Sequence, residues 1–556
     1  MDGVNAGIWQ RFFHQISRSK IENKKMDYIN TPPDDRGNRL CVTVSDIHLT
    51  DGTVGFQNLG DNAWRDFYQS LLRRCNSYHI DEVLFVLDGD IVDIIRSAQW
   101  AENGIYPWER DREEDFAKVV NLIIKDIVEV QHQAFFDMLI HLREWLTRDA
   151  ATVSEVKIVI TVGNHDKELL CVPSALRYFY EKGLGIDIEK IPAKERSAIG
   201  AMYGDKEKFK DPATTPYLPF YYGDTGFRFF TTHGQWRDKD NSRAIQPEGN
   251  KPGWSTRDGW AIEQWQKLGF SPFLLPCFGD SVAAGVLSTF LYRVKKALRD
   301  AGCNETRLDT ILDELDLYRP TYAALTRILL ETDTMRSQGT GEQAIQIIQD
   351  NLYDCIIEWL SWDFTYQASS STRKALLKSS KKILQLMKLV GGGLEIKALK
   401  NLLKVFAFVS KHHQKTLRFS ELRKFPAFLP EYRHYGFQIH GEGHTHVPLQ
   451  EEANIPIIAD KTAKTGGTDI VSKRPLTYIN FGTWRDQIIP RKAQGEGKKG
   501  YRRRGVLRSM YILDLVNHNV DMQQTTRTFD YFVEDIVHWS DFKDSMGENH
   551  RVQPKT

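Results

Sequence analysis

Five short segments of this sequence carry side chains that could bind metal ions. Each combines carboxylate, amide or imidazole donors within a few residues. The segments are Asp46-Ile47-His48, Gly89-Asp90-Ile91-Val92-Asp93, Gly163-Asn164-His165-Asp166, His233-Gly234 and Gly443-His444-Thr445-His446. Such hard donors suit manganese, iron or zinc, and the lack of thiolates argues against a structural zinc site. Two cations held close together by such donors are suited to the hydrolysis of phosphate esters.

Each segment also has a simpler interpretation. An isolated Asp46-x-His48 pair after a strand is more often a turn or a cap than a pair of ligands. Asn164 and Asp166 are common turn residues, and His233 alone would be read as a half-buried histidine. If every segment were only a turn, a cap or a structural histidine, five such coincidences would have to occur in one chain. We therefore expect that the five segments together form one metal centre.

Strand patterns precede the donor segments. Apolar, β-branched runs at residues 39–45, 82–87, 156–162 and 226–232 predict strands that end at the first four segments. A fifth predicted strand, residues 435–440, leads to the last segment. We therefore expect loops at strand ends to position the donors.

Helical spacing at residues 61–78 and 113–146 separates the first three strands. Alternating strands and helices predict a mostly parallel sheet with its site beyond the carboxyl ends of the strands. Residues 476–481 and 508–515 predict further strands, which short connections suggest are antiparallel. The expected fold class is α/β, with a two-layer β-sandwich core, flanking helices and a large helical insertion.

The predicted core is divided by a long insertion. His233 and His444 are separated by 210 residues, most of them helical in pattern. Helices are predicted at residues 260–268, 281–301, 305–317, 342–360, 374–390 and 394–411. The expected organisation is an N-terminal extension 1–35, a core in two parts 36–240 and 431–530, a helical lid 241–430 and a C-terminal tail 531–556.

The ordered motifs D-x-H, G-D-x-x-D, G-N-H-D, H-G and G-H-x-H resemble those of the calcineurin-like metallophosphoesterase superfamily. The resemblance covers roughly residues 36 to 240 and 430 to 516 and leaves the insertion unexplained. It implies a metal-dependent hydrolase of phosphoric esters with two divalent metal ions. We expect manganese, with iron or zinc as alternatives.

The resemblance also implies a role for each motif residue. Asp46, His48 and His446 would bind the first metal, and Asn164, His233 and His444 the second. Asp90 would bridge the two ions, which would share a hydroxide that acts as the nucleophile. His165 would protonate the leaving oxygen, and Asp93 would orient its imidazole.

Two branches of the superfamily provide comparisons. Protein serine/threonine phosphatases continue G-D-x-x-D with Arg-Gly and use G-N-H-E, whereas this chain has Ile94 after Asp93 and ends the third motif in Asp166. UDP-diacylglucosamine hydrolases also carry a helical lid between the last two motifs. This chain has His165 where those enzymes usually have Arg, and its insertion is far longer.

The near-neutral net charge of +1 conceals two basic regions. Residues 373–424 carry a local charge of +12, and residues 491–508 carry +7. These regions could contact nucleic acid or an anionic membrane, or be solvated faces of the insertion. The candidate substrate-binding residues are Arg485, Lys498, Lys499, Arg502, Arg503 and Arg504.

The six cysteines lack metal-binding spacing and fit reduced thiols. We identify no signal peptide and no apolar stretch of membrane-spanning length. A cytoplasmic protein is expected, with attachment to a membrane surface as an alternative. The sequence does not specify an oligomeric state.

The leading functional hypothesis is a phosphodiesterase or pyrophosphatase acting on an anionic phosphoester. Three alternatives remain open: a metal-dependent nuclease on DNA or RNA, a lipid-linked nucleotide pyrophosphate hydrolase, and a non-catalytic binding scaffold.

Overall fold

A computed structural model provides the structure of the protein. The described residues are 29–203, 218–238, 240–241, 254–255, 259–260, 271–303, 306–319, 322–369, 371–389, 435–458, 470–490, 501–519 and 524–538. Within them the chain is mixed α/β and contains two six-stranded mixed sheets. A separate antiparallel pair consists of β7 (Trp254–Ser255) and β8 (Gly259–Trp260).

One sheet contains the strands that lead to the first three donor segments. Its order is β12-β13-β2-β3-β4, and β14 pairs with β13. The strands are β2 (Arg39–Val44), β3 (Glu82–Asp88), β4 (Glu155–Thr161), β12 (Gln487–Pro490), β13 (Tyr501–Asn519) and β14 (Gln524–His538). Strands β2, β3 and β4 are parallel, as the alternating pattern predicts, and β13 is antiparallel to β2.

The other sheet contains the strands that lead to the two histidine segments. Its order is β1-β5-β6-β9-β11-β10. The strands are β1 (Ile29–Asn30), β5 (Tyr222–Asp224), β6 (Phe229–Thr231), β9 (Ile439–Glu442), β10 (Leu449–Ile458) and β11 (Ile470–Asn480). Because β6 and β9 are parallel neighbours, their carboxyl ends lie at the same edge.

The two sheets pack against each other through an apolar cluster. Leu84 and Val86 of β3 and Met510 of β13 share this cluster with Phe229 of β6 and Ile439 of β9. All five side chains are essentially inaccessible to solvent. The packing brings the carboxyl ends of strands from both sheets to one end of the core.

Several predicted elements differ from the observed ones. Residues 226–228 form a turn before β6, in which Asp224 accepts a hydrogen bond from the Phe227 amide. Strand β9 begins later than predicted, after Gly436 with φ of 71°. The antiparallel prediction for β11 is half wrong: β11 pairs antiparallel with β10 but parallel with β9. The boundary expected at residue 531 falls inside β14, because its ladder with β13 continues to residue 538.

Helices cover the sheets. The predicted long helix at 113–146 is two helices, separated by a π-helical turn at Ile127–Gln131 and the non-helical backbone of His132. The α-helices before the insertion are Asp61–Ser77, Gln99–Asn103, Glu113–Asp126, Gln133–Asp149, Pro173–Tyr178 and Ala193–Met202.

The described part of the insertion is mostly helical, and its apolar cluster extends to Val54, Ala98 and Ile488 of the core. Its α-helices are Phe278–Asp280, Thr289–Asp300, Thr306–Asp313, Tyr322–Ser337, Glu342–Trp359, Asp363–Gln367 and Ser371–Leu389, and a π-helical segment, Ser281–Ser288, joins the first two. The cluster includes Phe290, Ile348 and Trp359. The helices predicted at residues 260–268 and 394–411 lie outside the described residues.

No helix among the described residues is long and apolar enough to cross a membrane.

Candidate metal centre

Backbone hydrogen bonds join the loops that follow β2, β3 and β4. The His48 amide donates to the Asp90 carbonyl over 2.9 Å, and the Asp93 amide donates to the Leu49 carbonyl over 2.8 Å. The Ile94 amide donates to the His165 carbonyl over 3.1 Å. The loops after β6 and β9 are joined in the same way, since the Gly443 amide donates to the His233 carbonyl over 2.9 Å. The donor segments are therefore attached to one another through their main chains.

Asp46, His48 and His446 form one group of convergent donors. His446 Nε2 lies 2.9 Å from His48 Nε2 and 3.2 Å from Asp46 Oδ1. His48 Nε2 also lies 3.8 Å from Asp90 Oδ2. The three potential ligand atoms of the group lie within 4.8 Å of one another. The group matches the set expected for the first metal.

Asp90, His233 and His444 form a second group within the same 4.8 Å limit. His233 Nε2 lies 3.0 Å from Asp90 Oδ2. Its Nδ1 lies 2.8 Å from the Asp88 carbonyl, which fixes Nδ1–H as donor and leaves Nε2 free to bind a cation. Asn164 Oδ1 lies 2.8 Å from His444 Nδ1, so the amide joins this group. Asp90 lies between the two groups, as expected for a bridging ligand.

Asp93 and His165 lie beside the first group. His165 Nδ1 is 2.7 Å from Asp93 Oδ1, and His48 Nδ1 is 2.9 Å from Asp93 Oδ2. The His165 amide donates to Asp90 Oδ1 over 2.7 Å. Asp93 is buried, whereas the His165 side chain retains 19% of its exposure. His165 is therefore held by buried groups and can still meet a ligand.

Backbone strain is concentrated at the donors. Seven non-glycine residues among those described have positive φ, and five of them are candidate ligands. These five are Asp46, His48, Asp90, His444 and His446, with φ between 51° and 67°. A left-handed conformation costs a residue with a β-carbon about 1–2 kcal/mol. The surrounding fold therefore forces these main chains into positions that direct the side chains to a common point.

The site concentrates buried charge. Burial by itself raises the pKa of Asp46 and Asp93, but neighbouring imidazoles hold both values well below the usual range. Burial by itself lowers the pKa of His48, but contacts with Asp46 and Asp93 raise it to about 9. In His446 burial prevails and lowers the pKa to about 3. The ionised carboxylates and the neutral His446 match the protonation states that metal ligation requires, whereas His48 and His233, whose pKa values the neighbouring carboxylates raise, would each release a proton on ligation.

The donor set fits divalent cations. Carboxylate oxygens, an amide oxygen and imidazole nitrogens converge, and no sulfur lies among them. His446 Nδ1 is buried and has no hydrogen-bond partner among the described residues. These buried His and Asp groups can hold metal ions. Asn164 and the two groups correspond to the ligands that the sequence predicts.

Sequence reasoning missed two polar contacts to the donors. Asp238 Oδ2 lies 3.1 Å from His444 Nε2, and Ser45 Oγ donates to Asp46 Oδ2 over 2.6 Å. A carboxylate that orients a metal-binding imidazole raises its basicity. Asp238 lies five residues after His233 in a 3₁₀ turn region, a position that no motif distinguishes. Ser45 directly precedes Asp46 and could have been suspected from its position.

The other acidic candidates have structural contacts. Asp88, two residues before Asp90, accepts a hydrogen bond from Thr161, and burial raises its pKa to about 7. Asp166 accepts hydrogen bonds from the amides of Gly163 and Ile91. Neither carboxylate belongs to the convergent groups.

His440 and Glu442 contact each other rather than the donors. His440 Nε2 lies 3.0 Å from Glu442 Oε1, and Tyr478 donates to the other oxygen over 2.8 Å. Both residues are fully buried in β9.

The candidate substrate-binding residues have different environments. Lys498 and Lys499 lie outside the described residues, and Arg502 is exposed. Arg503 pairs with Glu314 and Asp486, and Arg504 is half-buried. Their substrate contacts stay predictions.

Arg485 is buried and pairs with Asp316 of the insertion. Its neighbour Trp484 stacks on Trp64 at 5.5 Å and is also buried. Trp484 is therefore a core residue rather than part of a pocket wall.

The basic helix Ser371–Leu389 packs on the insertion. Leu377 and Leu384 are buried in its apolar cluster. This packing is expected if the basic residues of the helix form a solvated face of the insertion. Lys378 and Lys382 are exposed. Binding of this helix to a membrane stays a prediction.

Comparison of the chain with known protein families, with curated proteins and with solved structures finds no match.

Proposed function

We propose that this protein is a dinuclear-metal phosphoester hydrolase of the metallophosphoesterase type, acting as a phosphodiesterase or pyrophosphatase. One observation carries the proposal: residues as distant in sequence as Asp46 and His446 bring their ligand atoms within 3.2 Å. Five candidate ligands also hold strained backbones to reach this arrangement. A structural turn would not require either feature.

The donor groups define where two ions would bind. Asp46, His48 and His446 would hold one ion, Asn164, His233 and His444 the other, and Asp90 would contact both. When bound, two divalent cations activate water and neutralise phosphoryl oxygens. Manganese is the first metal to test, because carboxylate-rich sites with imidazoles suit it.

His165 would act as the general acid. Its Nδ1 contacts Asp93, so Nε2 is the nitrogen left to face a substrate. A proton donated from Nε2 to the leaving oxygen would let the group depart as an alcohol rather than as a strongly basic alkoxide. Asp93 would hold the imidazole in this tautomer and stabilise its charged form.

Replacement of the bridging carboxylate tests the proposal. With manganese and bis-p-nitrophenyl phosphate, Asp90→Asn should reduce turnover at least about a hundredfold, because it removes the charge shared by both groups. Asp88→Asn is the matched control, since Asp88 is equally buried two residues earlier but lies outside the groups. Undiminished turnover in the Asp90 variant would refute the mechanism.

Two alternatives have their own tests. A nuclease would cleave labelled oligonucleotides with manganese, and absence of cleavage across salt concentrations would remove that alternative. A binding scaffold would show no metal in freshly purified protein. The intact donor groups count against a scaffold, because a binding surface has no need of them.

A further inference from the structure

Three arginines and one aspartate meet beside the donor groups. Asp316, which the insertion contributes, lies with Oδ1 3.1 Å from Arg96 Nη1 and with Oδ2 against Arg485 Nη2. Arg319 Nη1 donates to the carbonyls of Asp316 and Tyr318 over 2.6 Å and 3.0 Å. We call Arg96, Asp316, Arg319 and Arg485 the arginine cluster.

The arginine cluster is not neutralised by its own carboxylate. Arg96 and Arg485 share the single Asp316 carboxylate. The Arg319 guanidinium contacts only main-chain carbonyls and has no ion pair among the described residues. Arg485 is 1% exposed, yet its Nε and Nη1 have no hydrogen-bond partner among those residues. Burial and the neighbouring Arg485 lower the pKa of Arg319 to about 9. Buried cations and orphaned donors of this kind indicate a missing anion.

The arginine cluster adjoins the His165 side of the metal centre. The Arg96 amide donates over 3.1 Å to Asp93 Oδ1, the same oxygen that contacts His165. Arg485 follows Trp484, whose amide donates to the Asp46 carbonyl over 3.0 Å. The Arg319 amide in turn donates to the carbonyl of Ile488 over 2.9 Å, which fixes the insertion to the core.

The arginines of the cluster differ in exposure. Arg319 is half-buried, whereas Arg96 and Arg485 are buried, so the arginine cluster reaches solvent on its Arg319 side. Guanidinium groups match the oxygens of a phosphoryl group through paired hydrogen bonds. The cluster's excess of two positive charges corresponds to the charge of a terminal phosphoryl group.

We propose that the arginine cluster binds a second phosphoryl group, joined through an oxygen to the one that is attacked. The substrate class is then a diphosphate, and the insertion helps to select it. This inference rests on the proposed hydrolase function and narrows it.

The reaction would be hydrolysis of a P–O–P linkage. The oxygen of a water molecule bonds to the phosphorus at the metal centre, and the bond from that phosphorus to the bridging oxygen breaks. Both electrons of that bond go to the bridging oxygen, which leaves with the phosphoryl group held by the arginine cluster. The two protons of the water are distributed between the phosphate products and the solvent.

Calorimetry with inorganic pyrophosphate tests whether the arginine cluster binds a diphosphate when no metal is present. The full chain is titrated in EDTA, so that binding by metal ions cannot contribute. Arg319→Gln and Arg485→Lys should each weaken pyrophosphate binding at least about tenfold, because each loses charge-assisted hydrogen bonds. Arg319→Lys, which keeps the charge, should recover part of the affinity. Arg73→Gln is the control, since Arg73 is exposed on the helix Asp61–Ser77.

Kinetics with manganese provide the second measurement. In Arg319→Gln the ratio of kcat/KM for pyrophosphate to kcat/KM for bis-p-nitrophenyl phosphate should fall at least about tenfold. Thermal melts confirm that each variant is folded. Equal pyrophosphate affinity in the parent chain, Arg319→Gln and Arg485→Lys would overturn the inference.

The two proposals can fail separately. Normal turnover in Asp90→Asn would refute the hydrolase mechanism, whatever calorimetry shows. Loss of turnover in Asp90→Asn with pyrophosphate binding that does not depend on the arginines would overturn only the assignment of the arginine cluster.

Discussion

His165 Nδ1 lies 2.7 Å from Asp93 Oδ1, with the carboxylate buried and the imidazole partly exposed. A buried anion behind a reachable imidazole holds one tautomer. Burial by itself raises the pKa of Asp93, but the neighbouring His165 holds it well below the usual range. Under the proposed function this pair would supply a positioned proton donor, and the first predictions concern it.

Asp93→Asn should reduce turnover of a phosphodiester about a hundredfold or more, because the amide keeps the shape but not the charge. Asp93 also contacts His48, a candidate metal ligand. The measurement therefore combines steady-state kinetics with the metal content of the same sample. Lost turnover with full metal content supports the orienting role, and full turnover contradicts it.

His165→Gln should reduce the turnover of diesters with alcohol leaving groups far more than the turnover of diesters whose leaving group is p-nitrophenol. A strongly basic alkoxide needs a proton as it departs, whereas p-nitrophenolate is a weak base that leaves without one. The ratio of kcat values for the two substrate types is the measurement. An equal loss with both would show that His165 does not act as the acid.

The number of bound metal ions should depend on which donor group is altered. His446→Asn should reduce bound manganese from two ions to about one, since it changes only the group with Asp46 and His48. Asp90→Asn should weaken both ions. Elemental analysis after gel filtration measures the stoichiometry, and His141→Asn serves as an exposed control.

Added manganese should also stabilise the folded chain. An ion at one hundred times its dissociation constant contributes about 2.7 kcal/mol. Melting curves with manganese and with EDTA measure the difference. A melting temperature that manganese leaves unchanged would argue against a preformed site.

Two motif glycines lie where a side chain would collide with the donors. A β-carbon on Gly163 would meet the Asp90 side chain and backbone nitrogen, and one on Gly443 would meet Ser45 and Asp46. Gly163→Ala and Gly443→Ala should therefore each lower manganese affinity at least about tenfold, because a shift of about 1 Å in a ligand is costly. Gly60→Ala is the control, since nothing lies within 4 Å of its added carbon. Parent-like affinity in both variants would contradict the close-packing argument.

His132 should make stability depend on pH. Burial lowers its pKa from 6.5 to about 4, so protonation favours the unfolded chain. Its contribution to the unfolding free energy is complete above pH 6.5 and is lost as the pH falls towards 4. Denaturant unfolding at several pH values should show a shallower decline in His132→Gln than in the parent chain. The exposed His141→Gln variant should keep the parental slope, and identical slopes in all three proteins would contradict the prediction.

The local elements and the set of donor residues could be predicted from the sequence. Apolar runs predicted β2, β3 and β4 within one or two residues, because a buried strand requires a continuous apolar sequence. Motif order identified Asp46, Asp90 and His233 as ligand candidates, since strand ends of a parallel sheet place polar residues at one edge. The helical character of the insertion was equally visible in its periodicity.

Which distant groups meet depends on how the elements pack in three dimensions. Asp238 contacts His444 across 206 residues, and Asp316 contacts Arg485 across 169 residues. Neither contact has a local sequence signal, because periodicity reports which face of an element is buried and not what packs against it. The parallel pairing of β11 with β9 was missed for the same reason, since strand direction depends on the path of the chain between strands. The strained φ angles of the donors likewise arise from packing, which fixes a main-chain conformation that local preference disfavours.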